Sequence, residues 1–152
     1  KYDVEELGFK YHMNDITATI GLTQLARLEK RNSCRRYLAK RYTHLLRDLD
    51  WLETPNEREY ASPAWYIYVV KVRDPADRDS LMDYLRQCKI STSVHYVPNH
   101  LYSMYRPYLK EPLPVADSVW RRLITLPLYP DLSAEQQDMI VRKIKDFRSR
   151  SG

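Results

Sequence analysis

A helical apolar repeat that opens at an amide and a carboxylate governs what this chain can fold into. After Asn14 and Asp15, either of which supplies an N-cap, Ala18, Leu22 and Leu25 fall on one stripe of a 3.6-residue period, with Ile16 and Ile20 beside it. So wide an apolar arc predicts a helix buried against more than one neighbour, and Ala18 and Gly21 leave room for another backbone. Beyond Glu29 the pattern re-phases. Cys34, Leu38, Leu45 and Leu49 take one side while Arg36, Lys40, Arg47 and Asp48 fall largely off it, which reads as a second amphipathic helix, continuous with the first or kinked from it.

The rest of the chain changes character. Residues 1–9 read as extended, with Val4, Leu7 and Phe9 apolar, and a polar loop at 54–59 ends the helical half. The aromatic and β-branched run at 64–72 reads as a strand closed by Asp74 and Pro75. A helix capped by Asp77 or Asp79 follows, carrying Leu81, Met82, Leu85 and Cys88, and 90–96 reads as a second strand. Helix between strands makes a β-α-β unit and leaves open whether the strands are adjacent. Pro114 then starts a helix with Val115, Val119 and Leu123, 126–130 is a short extended stretch, and Ser133 with Gln136 forms a capping box. That box opens a last helix whose core face is Ile140, Ile144 and Phe147, and 148–152 is expected to fray. With no repeat and no second core, residues 1–152 read as one α/β layer domain.

Composition excludes several classes. In 152 residues, 43% apolar content with three glycines describes a globular chain rather than a disordered one. No run approaches the ~20 apolar residues that span a bilayer, and the first residues lack the apolar core of a signal peptide, so no membrane is implied and the chain reads as cytoplasmic. Cys34 and Cys88 lie far apart on apolar sides of helical patterns, as buried free thiols do, and no metal is indicated. The net charge of +5 is spread over every predicted helix instead of gathered in one block. Thirteen tyrosines imply an interface or a polar cleft.

Two clusters have the residue types for chemistry. Lys10, His12 and Asn14 put an ammonium, an imidazole and an amide at a helix mouth, which suits a phosphate monoester; the plainer reading has Lys10 and His12 solvated and Asn14 capping. His95, Tyr96 and His100 lie at a strand end and in a polar loop, where a histidine binds a diphosphate or hydroxyls, moves protons, or is simply hydrogen-bonded in the structure. Their spacing is not a zinc pattern. No Gly-rich phosphate loop, HExxH, GxSxG or paired CxxC is present, so the chain holds no self-sufficient catalytic set.

The stretch Gly8-Phe9-Lys10-Tyr11-His12-Met13-Asn14-Asp15-Ile16, continuing through Gly21-Leu22-Thr23-Gln24-Leu25-Ala26-Arg27-Leu28, resembles the opening of the C-terminal part of the DegT/DnrJ/EryC1/StrS sugar aminotransferases. In order and spacing, Ile90-Ser91-Thr92-Ser93-Val94-His95-Tyr96 with His100, Tyr105 and Arg106, and then Leu126-Pro127-Leu128-Tyr129-Pro130-Asp131-Leu132-Ser133, resemble later family motifs. The resemblance implies the α+β small domain of the aspartate-aminotransferase type of pyridoxal phosphate (PLP) fold, with long N-terminal helices, a small sheet and flanking helices. On it, residues 1–50 link to a large N-terminal domain and a dimer interface, and the parent is a homodimer. The family reaction passes an amino group, commonly from glutamate, to a nucleotide-linked ketosugar. The Schiff-base lysine and the carboxylate on the pyridinium nitrogen belong to the large domain, and no lysine here matches that motif, so no catalytic residue is expected in this chain. The resemblance gives Lys10, with His12 and Asn14, to the cofactor phosphate of the neighbouring subunit, although many members have asparagine at Lys10 and arginine at His12. It gives His95, Tyr96 and His100 to the sugar-nucleotide side of the cleft. The alternatives are a dehydratase-type relative lacking the Schiff-base lysine, a small basic nucleic-acid-binding domain, and a pure dimerisation module.

Overall fold

In a computed structural model that describes Asp3 and residues 5–149, the helical repeat forms a single helix, α1 (Asp15–Leu46), without a break at the change of phase. At about 1.5 Å per residue its 32 residues extend about 48 Å. Asn14 is the cap: its side chain accepts from the Thr17 N–H at 2.9 Å. Val4 of the expected extended lead-in lies outside the described residues.

The core takes only the C-terminal half of α1. Leu38, Ala39, Tyr42 and Leu46 are buried, whereas Ile16, Ile20, Leu22 and Leu25 are 59–76% exposed. The expected burial of this stripe therefore does not occur within the chain, and a Cβ placed on Gly21 would meet nothing within 4 Å.

Three strands form an antiparallel sheet in the order β1 (Leu52–Glu53), β2 (Tyr68–Val72), β3 (Leu123–Leu126). The first half of the expected 64–72 strand is not strand: Trp65 sits at φ 50, in the left-handed region, which breaks an extended run. Tyr68, Val70 and Val72 point inward in strict alternation and are fully buried. Leu123 belongs to β3 rather than to the helix begun by Pro114, α3 (Pro114–Trp120).

Between β2 and the next extended segment runs α2 (Pro75–Gln87). Its cap is Asp74, not Asp77 or Asp79: the Asp74 carboxylate accepts from the Ala76 N–H at 2.9 Å and Pro75 occupies the first turn. Lys89, at φ 63, closes the helix while Ile90 N–H bonds back to Leu85 O and Lys89 N–H to Arg86 O, each at 2.9 Å. The expected 90–96 strand reduces to one antiparallel bridge, Ser93 to Thr125. Because β2 and Ser93 are both antiparallel to β3, they are parallel to each other with β3 between them. The β-α-β unit is thus split, and its two strands are not neighbours.

The last helix, α4 (Ala134–Ser149), follows the expected capping box. Ser133 Oγ accepts from Gln136 N–H at 3.2 Å and Gln136 Oε1 from Ser133 N–H at 3.0 Å. Ile140, Ile144 and Phe147 enter the core with Leu81 and Leu85 of α2. Arg41 reaches Asp138 at 2.7 Å, and the buried Gln137 donates to Leu38 O at 2.8 Å, so polar bonds join α4 to α1. Helices packed on a small antiparallel sheet make an α+β arrangement. Cys34 and Cys88 are free and half-buried.

Candidate functional site

Both sequence clusters sit outside the α-helices and the strands, with Asn14 capping α1 and His100 in a 3₁₀ turn. Lys10 and His12 are exposed on the lead-in to α1, and neither has a hydrogen-bond or ion-pair partner among the described residues. Asn14 spends its side-chain oxygen on the cap, accepting from Thr17 N–H and from Thr17 Oγ1 at 3.0 Å, which leaves its amide nitrogen to donate elsewhere. Ammonium, imidazole and amide form a donor set that fits a phosphate group. It fits the phosphate end of PLP and supplies nothing for the ring nitrogen or the aldehyde carbon.

The second cluster is better held. Ser93 and Thr125 exchange backbone hydrogen bonds of 3.2 and 2.7 Å, which fixes the following residues against β3. His95 is half-buried, with Nδ1 2.8 Å from Thr125 Oγ1 and Nε2 left for another partner. The Tyr96 ring stands edge-on to it at 4.7 Å and is itself exposed. His100 lies in a 3₁₀ turn, Asn99–Leu101, and points inward: its side chain is only 10% exposed, with Nε2 2.8 Å from Asp117 Oδ1. Its Nδ1 has no hydrogen-bond partner among the described residues, and the residue lines a cavity of about 370 Å³ together with Arg106, Lys110 and Glu111.

The structure thus sets His95 against Tyr96, ties His100 separately to Asp117, and leaves Lys10, His12 and Asn14 exposed at the N-terminal end of α1. No hydrogen bond or ion pair joins the two groups among the described residues. Thr125 and Asp117, which orient the two histidines, are not visible as site residues in the sequence. The one local hint is that Asp117 stands in the first turn of α3, where the helix dipole favours a carboxylate. Among the described residues no three His, Cys, Asp or Glu side chains converge as a metal site would require, and no helix is long and apolar enough to cross a membrane.

Against known proteins, the model of the DegT/DnrJ/EryC1/StrS aminotransferase family matches residues 1–145. The chain belongs to this family. It is 33% identical to MJ1066 of Methanocaldococcus jannaschii over 99% of its own length and 40% of that protein's. It is 32% identical to the spore coat polysaccharide biosynthesis protein SpsC of Bacillus subtilis, over 96% of this chain and 39% of SpsC. The fold matches Spr1654 of Streptococcus pneumoniae in its PLP form with a TM-score of 0.89 at 26% identity, covering 99% of this chain and 39% of that one. Solved PLP and PMP forms of that relative mark PLP as a cofactor of the DegT/DnrJ/EryC1/StrS family.

The chain therefore spans about 40% of the length of the relatives it matches.

Proposed function

We propose that this chain is the small C-terminal domain of a PLP-dependent aminotransferase that transfers an amino group, from a donor such as glutamate, to a ketosugar carried on a nucleotide diphosphate. One juxtaposition supports the reading most. The chain matches the family almost end to end while spanning about 40% of its relatives, and the N-terminal half of its longest helix turns Ile16, Ile20, Leu22 and Leu25 to solvent. Exposed apolar stripes of this kind mark contact surfaces. On this reading residues 1–50 join the small domain to a large domain and to the second subunit of a homodimer, and the assembly works in the cytoplasm.

PLP, when bound, supplies the electron sink for amino-group transfer. This chain's residues bind and orient. Lys10, His12 and Asn14 hold the cofactor phosphate across the subunit boundary through charge-assisted donors. His95, steadied at Nδ1 by Thr125, presents Nε2 to the diphosphate or a sugar hydroxyl, and Tyr96 adds a phenol. His100, tied to Asp117, sets the loop and offers Nδ1. With no catalytic residue of its own, the chain is inactive alone.

The test uses the complete enzyme. Loss of a hydrogen bond to a charged group costs about 1.5–3 kcal/mol, so Lys10→Ala weakens PLP about tenfold or more, and His95→Ala raises the sugar-nucleotide KM while PLP affinity stays unchanged. If Lys10→Ala leaves PLP affinity unaltered, the phosphate assignment fails; an unaltered KM in His95→Ala defeats the substrate assignment.

A further inference from the structure

We propose that the cleft between the last turns of α1 and the 54–67 connection binds a small ligand carrying a phosphate or diphosphate group. Lys40, His44 and Arg47 stand at i, i+4 and i+7, hence on one face of α1, and all three are exposed. The connection folds over that face, and Asn56, Glu57 and Trp65 help close a cavity of about 420 Å³, within the size range of small-molecule sites.

The lining has donors in excess. Lys40 has no hydrogen-bond or ion-pair partner among the described residues. Arg47 lies 3.5 Å from Asp48 and 3.4 Å from His44 Nδ1. An arginine N–H facing Nδ1 makes that nitrogen the acceptor and leaves Nε2–H of a neutral imidazole as a further donor. Glu57 is the one carboxylate in the lining.

Trp65 closes one wall of the cavity. It holds φ 50, an uncommon conformation for a bulky residue. Its ring lines the cavity while the indole Nε1 is shut off from solvent, so the ring stands at the wall as a reporter and not as a donor to the ligand. A phosphate group brings negative charge and several acceptor oxygens, which is what Lys40, His44 and Arg47 together lack. Lys40 stands about 38 Å along α1 from Asp15, at ~1.5 Å per residue, so these donors are not those of the Lys10 cluster. The proposal does not depend on the aminotransferase reading.

The experiment is a titration of the full chain with inorganic pyrophosphate at low ionic strength, followed through the indole N–H resonances of Trp51, Trp65 and Trp120. The Trp65 signal is assigned by its loss in Trp65→Phe. A saturable shift of the Trp65 resonance is expected, with Trp51 and Trp120 still, and Lys40→Ala combined with Arg47→Ala should bind at least about tenfold more weakly. Lys40→Glu, a single change at an exposed position, should weaken binding likewise. A non-saturating drift of all three indoles, or unchanged affinity in either variant, overturns the site and identifies general attraction to a basic chain.

Discussion

Replacing Gln137 with leucine tests how α4 is joined to α1. Gln137 is fully buried, donates from Nε2 to Leu38 O at 2.8 Å and accepts at Oε1 from Arg41 Nη1 at 3.0 Å. Leucine roughly keeps the volume and removes both bonds. The Leu38 carbonyl retains the i→i+4 bond of its own helix, so it is not orphaned and this loss costs about 1 kcal/mol. Arg41 is charged and half-buried; it keeps Asp138 but loses a bond worth about 2 kcal/mol. Burying an alkyl group in place of an amide offsets roughly 1 kcal/mol, leaving a net destabilisation of about 2 kcal/mol. Urea unfolding should show that drop with an unchanged slope. A double-mutant cycle with Arg41→Ala should give a coupling of about 2 kcal/mol, the worth of the Arg41–Gln137 bond. Stability within about 0.5 kcal/mol of the parent chain, or strict additivity in the cycle, would refute the reasoning.

Burial pushes the Tyr68 hydroxyl from 10.0 up to about 12, against the opposing hydrogen bond from Thr43, and burial drives Tyr42 the same way. The folded state thus holds the Tyr68 proton more tightly, so its stabilisation is complete below pH 10 and is lost as pH rises toward 12, up to about 3 kcal/mol. Urea midpoints across that window should fall, and Tyr68→Phe should flatten the fall; equal slopes would contradict the assignment. Ser133→Ala breaks half of the capping box and should cost about 1 kcal/mol in thermal unfolding, whereas no change would mean that the box does not hold α4. Leu22→Ser, at a position 70% exposed, should move the chain's own stability by less than about 0.5 kcal/mol while weakening assembly with the large domain in a pull-down. A loss above about 1 kcal/mol in the isolated chain would contradict the exposure.

Features that depend on a few adjacent residues were legible before the fold was known. Asn14 as cap, the Ser133–Gln136 box, Pro114 at a helix start and the Ile140, Ile144 and Phe147 face all stand as expected. Elements decided by tertiary pairing were not. Leu123 continues the helical spacing of Val119, yet it pairs with Lys71 in β3; a short apolar run satisfies both periods, and the sheet decides. The 90–96 stretch reads as a full strand, but its pairing with β3 is confined to Ser93 and Thr125. β1 spans two residues, too few for any period to register. At the candidate site the histidines were visible by type. Their partners Thr125 and Asp117 lie 30 and 17 residues away in sequence, and nothing local signals such contacts. The wide apolar arc of α1 predicts burial against neighbours, yet within this chain Ile16, Ile20, Leu22 and Leu25 are exposed, because no other element among the described residues covers that half of the helix.

The central claim is that this chain completes a PLP site without containing one. It is tested most directly by titrating PLP and following the visible absorbance of the bound cofactor, first with the chain alone and then with the chain mixed with the large-domain polypeptide. The account predicts no bound-cofactor band with the chain alone, a band in the mixture, and its bleaching when glutamate is added. A band with the chain alone, or none in the folded mixture, would contradict it.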